Sequence, residues 1–153
     1  GFAVDASLGF NQVAGWRSGC SHPILDPSGS LVLLSLTAMD GVLLTQGGAE
    51  TRIRAFLETA RRGEGLAAFD WHGQGTDGRD YPGYLEVYER LLDQVAASGA
   101  WCAPAGEIAA WWRAREAALA GGPMPAGAVL EAVHAPGACP LGGCGGTRCQ
   151  GGA

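Results

Sequence analysis

The chain has 153 residues, a net charge of −5, 47% apolar residues and 16% charged residues. That is enough chain and enough apolar content for one ordinary globular domain, and it excludes a disordered polymer. All ten basic residues are arginines; only Arg61-Arg62 and Arg113-x-Arg115 lie close together, so no nucleic-acid footprint is expected.

Residues 1–30, rich in glycine, serine and proline, read as irregular structure. The stretch "LVLLSLTAMD" (31–40) is a near-continuous apolar run, which predicts a strand buried on both faces. It stops at Asp40, short of the roughly 20 residues a membrane span requires. "AETRIRAFLETARRG" (49–63) places Ile53, Phe56, Leu57 and Ala60 at helical spacing, with Gly63 as the stop. "GLAAFDWH" (65–72) reads as the next strand. "YLEVYERLLDQVAASG" (84–99) predicts a helix with Leu85, Tyr88, Leu91, Leu92 and Val95 on one face. "AWCA" (100–103) is a candidate short strand, and Pro104 opens a further helix in which Ile108, Trp111, Trp112, Arg115 and Leu119 repeat at three and four. Alternating strands and helices predict a parallel α/β architecture, either an open sheet or a barrel. The two tryptophans of that last helix read as core packing and not as a sugar platform.

After Gly121 the pattern stops. Residues 121–153 hold one candidate strand, "AVLEAVH", in a Gly/Pro/Cys-rich setting. Cys139, Cys144 and Cys149 with His134 match no zinc-ligand spacing, so this tail is expected to be disordered or a miscoded end. Five cysteines, an odd number, suit a reducing compartment or an incomplete chain. "GFAVDASLGF" lacks a charged n-region and an apolar h-region, so no signal peptide is visible. A start without methionine suits a fragment or a processed product, which leaves the compartment open between cytoplasm and cell envelope.

Chemistry in parallel α/β folds gathers where strands end and the loops after them converge. His72 ends one predicted strand and Asp40 ends the one before. Asp70 and His72 are two apart, which puts them on the same side of a strand. A carboxylate there would raise the imidazole pKa and favour a protonated general acid. The competing readings are a loop histidine that caps a helix or bonds a carbonyl and an Asp70 that serves backbone groups in the turn. Asp40-Gly41 reads most simply as turn chemistry. His22 with Cys20 lacks further ligands at a metal-site spacing.

Several stretches taken together resemble the polysaccharide deacetylase family, the NodB-homology group of carbohydrate esterases. They are "VDASLGFNQVAGWRSGCSHPILD", "LVLLSLTAMDGVLL", "LAAFDWHGQG" and "YERLLDQVAASGAWCAPAGEIAAWWRAR", in the family's order, over roughly residues 3 to 115. The resemblance implies that residues 1–120 are the C-terminal half of a distorted (β/α) barrel. It implies metal-dependent removal of N-acetyl groups from a polysaccharide or other glycan. In such enzymes a divalent metal, most often zinc, is held by one aspartate and two histidines, and a second aspartate is the base. Carried over, His72 matches the general acid that protonates the leaving amine. Asp5 falls near the segment that tunes this histidine, with Asp70 as a further modulator. The family's Asp-Asp and H-x3-H motifs are missing from this sequence, so the resemblance places metal ligands and base upstream of Gly1. Half a barrel would expose strand edges and self-associate through them. The alternative is a non-catalytic α/β interaction or scaffold module, a degenerate homologue without a metal site.

Overall fold

The computed structural model describes residues 2–121; the expectations placed on residues 122–153, including the candidate strand and Cys139, Cys144 and Cys149, lie outside the described residues. The fold is mixed α/β: two small sheets and several helices. Strands β1 (Val4–Asp5), β2 (Ile24–Leu25) and β3 (Val32–Leu33) form one sheet in the order β1-β3-β2, with β1 parallel and β2 antiparallel to β3. Strands β4 (Ala38–Met39) and β5 (Phe69–Asp70) pair in parallel as the second sheet.

The apolar run 31–40 is the thread that joins them. It is not one strand but two, because its partner changes along its length. The amides of Val32, Leu34 and Leu36 donate to the carbonyls of Ala3, Asp5 and Leu8. The next amide, that of Thr37, donates instead to Ala68 at 2.7 Å, and the Thr37 hydroxyl accepts from the Ala68 amide. No residue of the run is exposed, as an apolar sequence without alternation requires. Residues 1–30, expected to be irregular, supply β1 and β2; strands of two residues are too short to leave a periodic signal.

Immediately after β4 the chain turns into α1 (Asp40–Thr45), a six-residue helix that the sequence pattern did not predict. Its C-terminal end is bound by a distant residue. The Arg52 guanidinium donates to the Val42 and Leu43 carbonyls at the end of α1 and to the Gln46 side chain. Those carbonyls would otherwise lack partners at a helix C-terminus. Arg52 belongs to α2 (Ala49–Arg62), which, with α3 (Tyr84–Ala97), follows the amphipathic pattern closely. The apolar face of α3 is rotated from the expected one: Val87 and Leu91 are buried, whereas Leu85 and Leu92 are exposed. Ala38, Leu43, Ile53, Val87 and Leu91 make one core, under the β4–β5 sheet. Leu43 is fully buried there, so Leu43→Ala is expected to cost about 2–5 kcal/mol, measured by denaturant unfolding.

The second core joins Val32 and Leu34 to Ala109 and Trp112 of α4 (Ala105–Leu119). Trp111 packs against this core, and the Trp111 and Trp112 rings lie 5.8 Å apart, in keeping with a packing role. Residues 100–103 form no strand; Trp101 and Cys102 are exposed, and no strand among the described residues runs beside them.

The segment leading into β5 is fixed from the irregular region. Trp16 Nε1–H donates to the Leu66 carbonyl at 2.9 Å, and the Leu66 amide donates to the Ser21 carbonyl at 2.8 Å. Gly65 passes so close to Ser21 that a Cβ there would lie 2.1 Å from its hydroxyl oxygen and 2.9 Å from its carbonyl oxygen. Gly65→Ala is therefore expected to destabilise the fold by about 1–3 kcal/mol, read as a lower midpoint of thermal unfolding.

Candidate active site

The parallel register of β4 and β5 pairs Ala38 with Phe69 and Met39 with Asp70. Parallel strands end on the same side, and neighbours lie about 4.8 Å apart. Continuing one residue past β4 and two past β5 brings Asp40 and His72 together across a 32-residue separation.

Asp40 is the first residue of α1, where the helix N-terminus favours a negative charge. Its side chain is only 6% exposed, while that of His72 is 44% exposed. The carboxylate makes three hydrogen bonds. Oδ1 accepts from the Gly41 amide at 2.6 Å and from His72 Nδ1–H at 2.8 Å; Oδ2 accepts from the His72 amide at 2.9 Å. The two contacts to His72, one to its ring and one to its backbone, fix both the position and the rotation of the imidazole. With Nδ1 committed to Asp40, Nε2 is the ring nitrogen left to act on a ligand.

The His72 pKa is raised above the ordinary imidazole value. The hydrogen bond to Asp40 is the largest cause, followed by the Asp40 charge and then the Asp70 charge; desolvation opposes them weakly. The expectation of a carboxylate-assisted histidine at this strand end thus has its main partner in Asp40. Asp70 acts on the ring through its charge. Asp5 lies in the other sheet, where its carboxylate accepts from the Ser7 hydroxyl at 2.6 Å and the Ser7 amide at 2.7 Å. Those bonds, the hydroxyl first, lower the Asp5 pKa.

No family model, curated protein or solved structure matches this chain. The site's chemistry rests on its own geometry.

Among the described residues, no group of three or more His, Cys, Asp and Glu side chains could hold a metal ion. Asp40, the one buried carboxylate beside His72, has both oxygens engaged by His72. The described residues do not form a metal centre by themselves; the resemblance places its ligands upstream of Gly1. His22 is used structurally: Nε2–H donates to the Gly63 carbonyl at 2.5 Å, and the ring rests 5.3 Å from that of Trp112. No helix among the described residues is long and apolar enough to cross a membrane.

Asp40 is the functional candidate that the sequence pattern undervalued. Asp-Gly is ordinary turn chemistry, and nothing local distinguishes this instance. The available signal was longer in range: two consecutive strands in a parallel α/β pattern, one ending in Asp and the next in His.

Proposed function

We propose that this chain supplies the general acid of a hydrolase that cleaves the amide of an N-acetylated glycan, releasing acetate and a free amine. The observation that carries the reading is the buried Asp40 carboxylate bonded to His72 Nδ1 at the shared end of two parallel strands. On this reading the two small sheets belong to a distorted (β/α) barrel, with metal ligands and general base contributed from outside the described residues.

Amide cleavage requires a proton at nitrogen, because an amide anion is too basic to leave. Protonated His72 would donate its Nε2 proton to the nitrogen as the C–N bond breaks. The electron pair of that bond stays with nitrogen, and the acyl carbon keeps the oxygen of the attacking water. His72 is left neutral with its remaining proton on Nδ1, the tautomer that Asp40 selects by accepting it. The raised imidazole pKa favours the protonated, proton-donating form. Asp40 is thus a positioning and charge-compensating residue, and Asp70 adds a second, weaker negative field.

The test is acetate release from an N-acetylated chito-oligosaccharide by the protein that contains this chain, with a divalent metal supplied. Release that depends on His72 supports the reading. Absence of release across N-acetylated glycans and metals contradicts it and leaves the interaction-module alternative in front. Association through sheet edges belongs to the same proposal and is read as a concentration-dependent mass in sedimentation.

A further inference from the structure

Past His72 the chain closes a 3-10 turn, Gly73–Thr76, held by the Gly75 amide donating to the His72 carbonyl at 2.9 Å. The Thr76 hydroxyl donates to the Gly73 carbonyl at 2.8 Å and fastens the same turn. Two glycines in this turn have opposite surroundings. A Cβ on Gly73 would meet nothing within 4 Å. Gly75 is buried, and a Cβ there would lie 3.1 Å from Tyr84 Cδ2, 3.4 Å from Trp71 Nε1 and 3.6 Å from Asp40 Oδ2. Neither glycine has a positive φ, so the demand at Gly75 is one of space and not of backbone conformation.

Gly75 therefore sits as a backbone plug between the Tyr84 ring and the carboxylate oxygen that accepts the His72 amide. Trp71 Nε1, which is buried and has no hydrogen-bond partner among the described residues, lies on the same side of the turn. A hydrogen bond whose acceptor is kept from water is electrostatically stronger than an exposed one.

We infer that Gly75 is a positioning residue for the acid, its missing side chain allowing the 73–76 turn to close over Asp40, keep its carboxylate from water and hold it aligned with His72. This rests on the reading of His72 as the acid. A methyl group at Gly75 crowds Tyr84 Cδ2 at 3.1 Å, so the contact between the turn and the ring has to open by a few tenths of an ångström. Because the turn is tied to the His72 carbonyl, any shift the turn takes up reaches the His72 amide and its bond to Asp40. It also admits water to the carboxylate.

The experiment is an NMR titration of the His72 ring in the full chain and in four variants, with folding checked by circular dichroism. Gly75→Ala is expected to lower the His72 midpoint, and Gly73→Ala, the control in the same turn, to leave it where it is. Thr76→Ala, at an exposed position, loosens the turn without adding bulk and is expected to lower the midpoint too. It decides the matter if Gly75→Ala does not fold. A midpoint unchanged in Gly75→Ala, or in Thr76→Ala in that event, overturns the inference, as does an equal shift in Gly73→Ala. Asp40→Asn separates the two levels. If it fails to lower the midpoint, the Asp40–His72 reading itself is wrong; if it lowers it while Gly75→Ala does not, only the role of Gly75 falls.

Discussion

Replacing His72 with alanine is expected to reduce turnover by about two to four orders of magnitude, the range that general acid catalysis contributes. The loss should fall on kcat and kcat/KM together, because the proton is needed only as the bond breaks. Folding should survive, since the imidazole is nearly half exposed and fills no core. A substrate with a better leaving group needs less protonation, so the loss should shrink as the leaving amine becomes less basic. Steady-state kinetics on two acyl substrates of different leaving-group pKa, with circular dichroism as the folding check, tests all three points. An undiminished rate with the better leaving group only would restrict the role of His72 to proton donation; an undiminished rate with both would remove it from the mechanism.

Asp40→Asn has the second large effect, and it is double. An amide cannot accept at both ends. Asp40 now receives hydrogen bonds from His72 Nδ1, the His72 amide and the Gly41 amide, so the Asn NH2 group would face a donor in a buried place. Leaving such a donor unsatisfied costs about 1–3 kcal/mol, seen as a lower denaturant midpoint. The charge that raises the His72 pKa also disappears. The sign follows directly. A general acid is active while protonated, so activity falls as pH rises through the His72 pKa. Lowering that pKa moves the alkaline limb of the pH–rate profile to lower pH, and activity suffers most between the two pKa values. Stability moves in a linked way. A folded-state pKa above the unfolded value gives stability that is present below about pH 6.5 and lost as pH rises through the folded pKa. Asp40→Asn should flatten that dependence. An unchanged alkaline limb in a folded Asp40→Asn protein would contradict the assignment of Asp40.

The sequence made some of this legible and hid the rest for identifiable reasons. The α2 and α3 helices announce themselves because 14 residues carry several turns of amphipathic spacing. The burial of residues 31–40 is equally plain from their apolar continuity. What the run does is not, because the switch of its partner from residues 3–8 to Ala68 is a matter of long-range pairing. Helix α1 is hidden for a related reason: six residues carry too little periodicity, and its end is satisfied by Arg52 from another helix. At the site, His72 stands out as an imidazole where a connection needs none. Asp40 does not, because its partner lies 32 residues away and only the parallel register of β4 and β5 unites them. Asp70 is visible by its spacing, yet as the last residue of β5, two before His72, it contributes charge and not the ring's hydrogen bond. Asp5 was suggested by likeness to a family segment, and its carboxylate is engaged by Ser7. Gly75 could not be told from Gly73 in the sequence; only packing separates them.

The most direct test of the central claim is the titration of His72 itself, followed by NMR in the full chain from pH 4 to 9. The account predicts a midpoint above the ordinary imidazole value of about 6.5, with the Nδ1 proton retained in the neutral form, and a return toward that value in Asp40→Asn. A midpoint at or below about 6.5 in the unaltered chain, unmoved by Asp40→Asn, would mean that Asp40 does not hold His72 as an acid.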